Sequence, residues 1–360
     1  MEENKVMENT PTENGEVKPH KRRERYKGTH PRRFQDKYKE LNPEKYKDDV
    51  EKIKNKGKTP AGMHIPIMVD EILDVLKIKP GEIGYDATLG YGGHTSKMLE
   101  KLEGKGHLYA TDIDSIEIEK TKKRLAEKGF GDDILTVYKT NFCNIDTITP
   151  EEKFDFVLAD LGVSSMQIDN PERGFTFKAD GPLDLRLDPN SGTTAAQRLK
   201  ELSKDEIVGM LIENSDEPYA EQIAREIIHT LRIRQPIETT KQLAAVIEKA
   251  LNFLPAKTRK EDIKKSCQRT FQALRIDVNS EFEVLYEFLD KLPNSVKSGG
   301  RIAILTFHSG EDRLVKKAFK AMKREGIFSE ISDEVIRPSK EECFRNSRAH
   351  STKLRWAIRA

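Results

Sequence analysis

After residue 63, short apolar runs alternate with longer stretches in which apolar residues recur at helical spacing. The run at 154–159 is apolar almost throughout, which is typical of a strand covered on both faces of a parallel sheet. Helices are predicted at 66–76, from the glycines near 90 to 102, and at 116–128. Strands are predicted at 83–87, 106–111, 134–138, 154–160, 301–307, 331–337 and 353–358. This alternation predicts an α/β fold.

The alternation of strands and helices stops after residue 160. Several segments with helical spacing follow between 193 and 265, and one further helix is predicted at 269–289. We interpret the first group as an all-helical subdomain inserted into the α/β domain. The predicted organisation is a basic, largely disordered extension at 1–62, the α/β domain at 63–190 and 269–360, and the helical insert at 191–268.

Charge is unevenly distributed along the chain. The 360 residues are 34% charged and 36% hydrophobic, and the net charge is only +2. Between Lys18 and Lys39, however, ten Lys and Arg residues stand against two acids, a local charge of +8. Tyr26, Phe34 and Tyr38 lie among these cations. The mixture is typical of segments that contact phosphates and stack on bases, but a solvated linker fits the composition equally well.

The cysteines and the apolar runs indicate the compartment. Cys143, Cys267 and Cys343 are far apart and form no CxxC pair, which argues against a zinc ribbon or a disulfide framework. The first residues have no signal-peptide pattern, and no window of about 18 apolar residues predicts a membrane span. We therefore expect a cytoplasmic protein with no metal centre and no membrane contact.

Chemically suggestive residues follow three of the predicted strands. Gly90, Gly92 and Gly93 form a turn that opens a helix, where small residues let a ligand approach the backbone. Asp112 ends the second strand, a position from which an acid accepts both hydroxyls of a ribose. Asp160 ends the fourth strand. Because Thr95 stands where a dinucleotide motif has its third glycine, the set predicts a nucleoside site rather than a dinucleotide site.

The stretch from Asp160 to Asp188 is a long polar loop at the edge where open α/β sheets bind ligands. A turn-rich surface loop is the alternative, but the position favours an active-site loop. His308, at the end of strand 301–307, is a candidate for substrate contact. Phe142, after strand 134–138, is a candidate for covering an adenine face. Each of the two also fits a purely structural role.

Six segments resemble those of a known family. The chain resembles the 16S ribosomal RNA (cytosine-N4) methyltransferase H family, also called RsmH or MraW, across nearly everything after residue 63. The matching segments are HIPIMVDE (64–71), DATLGYGGHT (86–95), DLGVSSMQIDNPERGFTFKADGPLDLRLDP (160–189), RTFQALRI with VNSE (269–281), TFHSGEDRLVK (306–316) and NSRAHSTKLR (346–355). Asp277 departs from the family pattern, which often has an aromatic or other uncharged residue there.

The resemblance implies a class I, Rossmann-like methyltransferase sheet with S-adenosylmethionine as cofactor. It implies methyl transfer to the exocyclic N4 of a decoding-centre (P-site) cytidine in 16S rRNA of the small ribosomal subunit. Catalytic roles are expected for Asp160, Ser164 and His308. The cofactor contacts that it implies are Gly92, Gly93, His94, Asp112, Phe142, Asp160 and Gln167. Substrate contacts are expected from Arg173, Phe175, Phe177, Asp184 and Arg186.

Alternative functions stay open at this point. A paralogue methylating another RNA or a DNA amino group would use the same cofactor turn, although the NPPY-type motif of DNA amino-methylases is absent. A nicotinamide-dependent dehydrogenase is disfavoured by the missing third glycine. A non-catalytic ribosome-assembly factor would not need Asp160, Gln167 and the glycine turn together. A homodimer is also left open.

Overall fold

In the computed structural model, residues 66–360 are described. They form a seven-stranded sheet with the strand order β3-β2-β1-β4-β5-β7-β6. The predictions for the extension at 1–62 lie outside the described residues. The strands are β1 (Ile83–Asp86), β2 (His107–Asp112), β3 (Leu135–Lys139), β4 (Phe154–Asp160), β5 (Val296–Thr306), β6 (Phe328–Ile331) and β7 (Lys353–Arg359).

Five neighbouring strands are parallel, and two close the sheet in the opposite sense. β3, β2, β1, β4 and β5 run parallel, while β7 pairs antiparallel with both β5 and β6. The chain winds outward from β1 to β3 and then returns to place β4 on the other side of β1. Such a reversal opens a crevice beyond the carboxyl ends of the strands, where open α/β sheets bind ligands. The predicted Rossmann-like α/β sheet is therefore confirmed.

Helices cover both faces of the sheet and form a third group beside it. The helices are α1 (Val69–Leu76), α2 (Gly93–Leu102), α3 (Ser115–Glu127), α4 (Ile145–Ile148), α5 (Ser165–Asp169), α6 (Ala195–Glu201), α7 (Lys204–Ser215), α8 (Ala220–Arg232), α9 (Thr240–Ala250), α10 (Ala256–Asn279), α11 (Glu281–Ser295), α12 (Ser309–Arg324) and α13 (Lys340–Arg345). No described helix is long and apolar enough to cross a membrane.

Strand β4 is buried on both of its faces, as its apolar run predicts. Phe156 and Leu158 pack with α1 and α2 on one side, and Val157 and Ala159 pack with α11 and α12 on the other. Each of these four side chains is fully buried. Burial on both faces explains why the run lacks the polar alternation of a half-exposed strand. The strand therefore holds Asp160 at a fixed position at the edge of the sheet.

The helices between β4 and β5 share a separate hydrophobic core. This core joins α6 to α10 and includes Leu183 and Leu185 from the polar loop. Helix α10 contributes Cys267, Phe271 and Leu274, and it runs without a break across residues 268–269. The helical content predicted after residue 190 is confirmed. The division into an insert at 191–268 and an α/β domain stays a prediction.

Two predicted elements differ from the structure. The strand predicted at 331–337 lies at Phe328–Ile331, because the Trp356 amide donates to the Ser332 hydroxyl and not to a backbone carbonyl, and only Ile336 returns to bridge Leu354. The single helix predicted at 269–289 is two helices, since Ser280 adopts a left-handed φ of 48° between them. That break changes which side chains meet at the edge of the sheet.

Candidate active site

A cavity of about 390 Å³ opens at the carboxyl ends of the five parallel strands. Of the fourteen residues that were given catalytic, cofactor or substrate roles, seven line it: Gly93, His94, Asp112, Phe142, Asp160, Ser164 and Gln167. The other seven do not line it: Gly92, Arg173, Phe175, Phe177, Asp184, Arg186 and His308. The cavity therefore brings together most of the residues of the predicted cofactor site, and Gly92, which does not line it, is the N-cap of α2.

The glycine turn is held in place by Asp86, which was not among the site residues predicted from the sequence. Asp86 at the end of β1 accepts hydrogen bonds from Thr95 Oγ1 at 2.6 Å and from the Thr88 amide at 3.1 Å. Burial raises the pKa of Asp86, which is 1% exposed. The Thr88 hydroxyl in turn accepts from the Asp160 amide at 2.8 Å. These bonds tie the turn after β1 to the end of β4.

Asp112 stands at the end of β2 with part of its hydrogen-bonding capacity already used. Its Oδ2 accepts from the Gly90 amide at 2.8 Å and its Oδ1 from the Asp114 amide at 2.9 Å. Burial raises the pKa of Asp112 to about 6. Each carboxylate oxygen has two lone pairs, so both can still accept a ligand hydroxyl. The geometry fits the ribose role predicted for this residue.

Asp160 and His94 face each other inside the cavity. His94 Nε2 lies 3.5 Å from Asp160 Oδ2, at the boundary between the glycine turn and the polar loop. Asp160 Oδ1 and His94 Nε2 are buried atoms that have no hydrogen-bond partner among the described residues. Buried polar atoms are rarely left unpaired in folded proteins. Two such atoms in one cavity indicate that a polar ligand completes the site.

Ser164 and Gln167 form a capping box at the start of α5. The Ser164 hydroxyl accepts from the Gln167 amide at 3.1 Å, and the Gln167 side chain accepts from the Ser164 amide at 2.9 Å. Gln167 Nε2 also donates to Asp114 Oδ2 at 3.2 Å. These bonds fix the loop that follows Asp160. The catalytic role of Ser164 and the cofactor role of Gln167 stay predictions, since both side chains already serve the cap.

The predicted substrate residues lie behind the cavity wall. Arg173 pairs with Asp114 at 2.6 Å, and Arg186 pairs with Asp184 through two bonds of 2.7 and 2.8 Å. The rings of Phe175 and Phe177 pack on the helical core, and the Phe177 ring centroid is 5.5 Å from that of Phe271. The structure does not bring these five side chains into the cavity. Their substrate contacts stay predictions.

Phe142 lines the cavity beyond the end of β3. Its ring meets Phe288 edge to face, with centroids 5.2 Å apart and an interplanar angle of 88°. The ring is partly buried against the sheet core, so one side is packed and the other borders the cavity. This arrangement suits both readings of Phe142, as a core residue and as one wall of an adenine site.

A second set of ionisable residues lines the cavity beside β5, and most of it escaped the sequence reading. Arg275, Glu281 and Glu311 line the cavity, and His308 lies behind Glu311. The Arg275 guanidinium binds both oxygens of Glu281, at 2.7 and 2.8 Å. One ligand atom each from Glu281, His308 and Glu311 lies within 4.8 Å of the others, a spacing also compatible with a metal ion. Of the four, only His308 was a sequence candidate for the site.

Helix α10 holds the polar loop in place from the side. Asn279 accepts from the Leu187 amide and donates to the Leu185 carbonyl, both at 2.8 Å. Asp277, the residue that departs from the family pattern, accepts from Arg198 Nε at 2.7 Å. The unusual acid therefore pairs with α6 and does not line the cavity.

Comparison with known proteins decides the class of enzyme. The sequence model of the MraW methylase family matches residues 61–360. The chain belongs to the MraW methylase family. Together with the nucleoside-type cavity, the match makes this chain an S-adenosylmethionine-dependent methyltransferase.

Individual relatives align along most of the chain. Ribosomal RNA small subunit methyltransferase H 1 of Agathobacter rectalis is 66% identical over 346 residues, covering 96% of this chain and 99% of that protein. The protein of the same name from Lachnoclostridium phytofermentans is 63% identical over 357 residues, covering 99% and 97%. Ribosomal RNA small subunit methyltransferase H of Caldicellulosiruptor saccharolyticus is 38% identical over 312 residues, covering 82% and 98%.

Proposed function

We propose that this methyltransferase transfers the methyl group of S-adenosylmethionine to the exocyclic N4 of a decoding-centre (P-site) cytidine in 16S rRNA. The observation that carries the proposal is Asp160, whose Oδ1 is buried in the cavity without a hydrogen-bond partner among the described residues. The strong likeness to small-subunit rRNA methyltransferases supports an rRNA substrate. Cytosine offers the amino group that such a carboxylate accepts.

The cofactor fits the half of the cavity formed by β1, β2 and β3. The turn at Gly92 and Gly93 would receive the methionine part, and Asp112 would accept the two ribose hydroxyls. Phe142 would cover one face of the adenine, and His94 and Gln167 border the same space. Bound there, S-adenosylmethionine supplies an electrophilic methyl group carried on a sulfonium.

The chain's own residues then have to orient the acceptor nitrogen. The lone pair of cytosine N4 is delocalised into the ring, so the amino group becomes nucleophilic only as it pyramidalises. Asp160 Oδ1 would accept one amino N–H, and the carbonyls from Leu161 to Val163 are the nearest further acceptors along the chain. Correct placement for in-line attack supplies much of the rate enhancement. A strong base is unnecessary, since the proton leaves after positive charge has developed on the nitrogen.

The target base must leave its stack to enter the cavity. The assembled small subunit is therefore the expected form of the substrate. The substrate contacts predicted for the loop residues remain part of this proposal, although the ion pairs and packing of these side chains lie within the loop and against the helical core: Arg173, Phe175, Phe177, Asp184 and Arg186. The homodimer considered from the sequence stays open.

The second candidate function is methylation of a different RNA or of a DNA amino group by a paralogue. It is favoured by one observation, the basic segment Lys18–Lys39, which adds positive charge outside the catalytic domain. A non-catalytic assembly factor fits less well, because a binding protein has no need of an unpaired buried carboxylate in a cofactor cavity.

The deciding experiment is methyl transfer from labelled S-adenosylmethionine to small ribosomal subunits that lack their own methylations. Mass spectrometry then identifies the modified nucleoside and its position. We expect N4-methylcytidine at one decoding-centre position. Label in another RNA, with none in the small subunit, would show instead that the protein is a paralogue with a different target. The absence of any transfer, despite tight cofactor binding, would favour the assembly factor.

A further inference from the structure

Beside β5, four ionisable side chains are buried together at the wall of the cavity. Arg275, Glu281, His308 and Glu311 are only 14, 11, 11 and 4% exposed. They come from the end of α10, the start of α11 and the first turn of α12. We call them the charged quartet. Burying charged groups is costly unless each is paired, so such a cluster in a cavity points to a role with a ligand.

Two atoms of the quartet still have hydrogen-bonding capacity for a ligand. Arg275 uses Nε and Nη2 on Glu281, and its Nη1 has no hydrogen-bond partner in the described part of the chain. Glu311 uses Oε2 to accept from the Phe307 amide at 2.9 Å, and its Oε1 pairs with His308 Nε2 at 3.1 Å. A carboxylate oxygen has two lone pairs, so Oε1 can still accept one hydrogen bond from a ligand. The quartet thus offers one donor and one acceptor.

Charge limits which ligand can occupy this wall. Arg275 carries one positive charge and Glu281 and Glu311 carry two negative charges, so the quartet has no net positive charge whether or not His308 is protonated. A phosphate group would meet two carboxylates without a net positive charge to balance it, so this wall disfavours phosphate. The Arg275 guanidinium binds both carboxylate oxygens of Glu281. A metal ion would have to displace this cation before it could bind to Glu281. A neutral ligand with a donor and an acceptor along one edge matches the open atoms.

The strand order places the quartet on the substrate side. Asp112 ends β2, Asp160 ends β4, and the quartet adjoins the end of β5. In the sheet, β4 separates β5 from β1 and β2. The quartet therefore lies across Asp160 from the glycine turn and the ribose acid. A ligand that bridges Asp160 and the quartet occupies the acceptor half of the cavity.

We propose that the charged quartet reads the Watson–Crick edge of the acceptor cytosine. Glu311 Oε1 accepts an N–H from the exocyclic amino group, and Arg275 Nη1 donates to the ring carbonyl oxygen. With Asp160 accepting the second amino hydrogen, both N–H groups are held and the nitrogen lone pair turns toward the methyl group. Uracil is rejected because its O4 would face the Glu311 carboxylate. Glu281 is a positioning residue that leaves only Nη1 of Arg275 free. This inference rests on the proposed function.

The test uses Glu311→Gln in the full-length protein. The amide keeps a carbonyl oxygen for the Phe307 amide, so the fold at β5 is retained, but the charge is lost. Glu283→Gln is the matched control, an exposed acid two residues beyond Glu281 on α11. We measure cofactor Kd, thermal unfolding, and kcat and KM for methylation of undermethylated small subunits.

We expect Glu311→Gln to lower kcat/KM for the subunit by ~100-fold or more, with cofactor Kd within about twofold of the parent. Arg275→Lys should cause a comparable loss, mainly in KM. The single nitrogen of lysine cannot replace the three guanidinium nitrogens, two of which bind Glu281 while the third is free for the base. Glu281→Asp, which restores a carboxylate, should be less impaired than Glu281→Gln. The control should behave as the parent does.

Several outcomes overturn the inference. A kcat/KM for Glu311→Gln within about threefold of the parent removes Glu311 from base recognition. A tenfold rise in cofactor Kd assigns the quartet to the cofactor instead. Activity that is lost on chelation and restored by Mg²⁺ or Zn²⁺ in the parent, but not in Glu311→Gln, assigns it to a metal. If the parent makes no N4-methylcytidine, the proposed function fails first. If the parent makes it and the variants do too, only the inference fails.

Discussion

His94 Nε2 and Asp160 Oδ2 lie 3.5 Å apart, one at the start of α2 and the other at the end of β4. This contact joins the glycine turn, where the cofactor is proposed to bind, to the polar loop that follows Asp160. The histidine is 8% exposed, so the pair is shielded from solvent on the turn side. The glycine turn and the polar loop therefore meet at the place where methyl transfer is proposed.

The first prediction concerns Asp160→Asn, which removes a charge with little change of shape. We expect kcat to fall by ~100-fold, because the amide is a weaker acceptor for the amino N–H. Cofactor Kd should change by less than about tenfold, since Asp112 and the glycine turn remain. Single-turnover methylation and calorimetric binding measure the two effects. Asp290→Asn, at an exposed position on α11, is the control. Normal turnover in Asp160→Asn would exclude the carboxylate from the chemistry.

The second prediction is a pH dependence of cofactor binding. Burial raises the pKa of Asp112 from 3.8 to about 6, so the free protein protonates this acid below pH 6. A carboxylate accepts ribose hydroxyls better than a neutral carboxyl does. Cofactor Kd should therefore rise as pH falls from 7 to 5, by up to ~10-fold per unit below the pKa. Fluorescence or calorimetric titrations at each pH check this. Asp112→Asn should bind weakly with a flat profile, and an unchanged slope would point to a different group.

The same raised pKa has a consequence for the unliganded protein. Between pH 3.8 and about 6 the folded state holds more protons at Asp112 than the unfolded chain does. The contribution of Asp112 to the free energy of unfolding is fully present below pH 3.8 and declines as pH rises through 6. Bound cofactor offsets that decline. Denaturant titrations of the parent and of Asp112→Asn between pH 4 and 7 should differ in slope, with the parent losing more stability as pH rises.

The third prediction separates two costs of replacing Gly92: the steric clash of an added Cβ and the strain of a left-handed backbone. Gly92 has φ of 77°, and a Cβ built there would lie 2.7 Å from Thr121 Cγ2. Gly104 has a similar φ of 70° but open space around it. Gly104→Ala should cost only the left-handed penalty, about 1–2 kcal/mol. Gly92→Ala should cost more and also weaken cofactor binding by ~10-fold or more, because the turn must shift. Equal effects in the two variants would show that backbone strain alone matters.

The parallel half of the sheet could be predicted from sequence because its strands are continuous apolar runs bounded by polar residues. Phe154 to Ala159 lacks the alternation of a surface strand, and its burial on both faces follows from that. The polar residues at the ends, Asp112 and Asp160, then had to share one edge of the sheet. This is why the cavity residues at the ends of these strands could be predicted from the sequence.

The charged quartet could not be predicted, because it depends on a break that has no local signal. On one continuous helix, residues six apart differ by about 600° of rotation and point to different sides. Ser280, with φ of 48°, interrupts the helix and lets Glu281 return to Arg275. Serine is not a residue whose presence predicts a left-handed bend. Treated as one helix, 269–289 hides this pair.

The aromatic residues of the loop illustrate a different limit. Phe175 and Phe177 alternate with polar residues, a spacing that suits a binding edge, but both pack on the core of α6 to α10. Their orientation is decided by helices that follow later in the chain, which provide a larger apolar surface than the loop itself. Local patterning in a loop therefore located the site without identifying which side chains face it.

The fourth prediction concerns the unusual acid on α10. Asp277 pairs with Arg198 at 2.7 Å, and these side chains are 19% and 37% exposed. Solvent screens such a pair, so a double-mutant cycle with Asp277→Asn and Arg198→Gln should give a coupling of about 0.5–1 kcal/mol. The exposed pair Lys204–Glu221 is the control and should give less. Cofactor Kd and the position methylated should be unchanged. A shift in the methylated nucleotide would instead make Asp277 a specificity residue.

The last prediction concerns Asn279, which fastens the polar loop to α10 by accepting from the Leu187 amide and donating to the Leu185 carbonyl. Asn279→Ala leaves both backbone groups without these partners and should lower the free energy of unfolding by about 1–3 kcal/mol. These bonds hold the far end of the loop, which lines the cavity at Leu187 and not at the proposed cofactor residue Gln167, so KM for the subunit should rise while cofactor Kd changes little. Asn214→Ala is the control, since Asn214 bonds to the Ala273 carbonyl on the same helix, away from the loop. Unfolding by denaturant and steady-state kinetics separate the two effects. If Asn279→Ala loses stability but keeps its KM, the two hydrogen bonds of Asn279 support the fold and not the geometry of substrate binding.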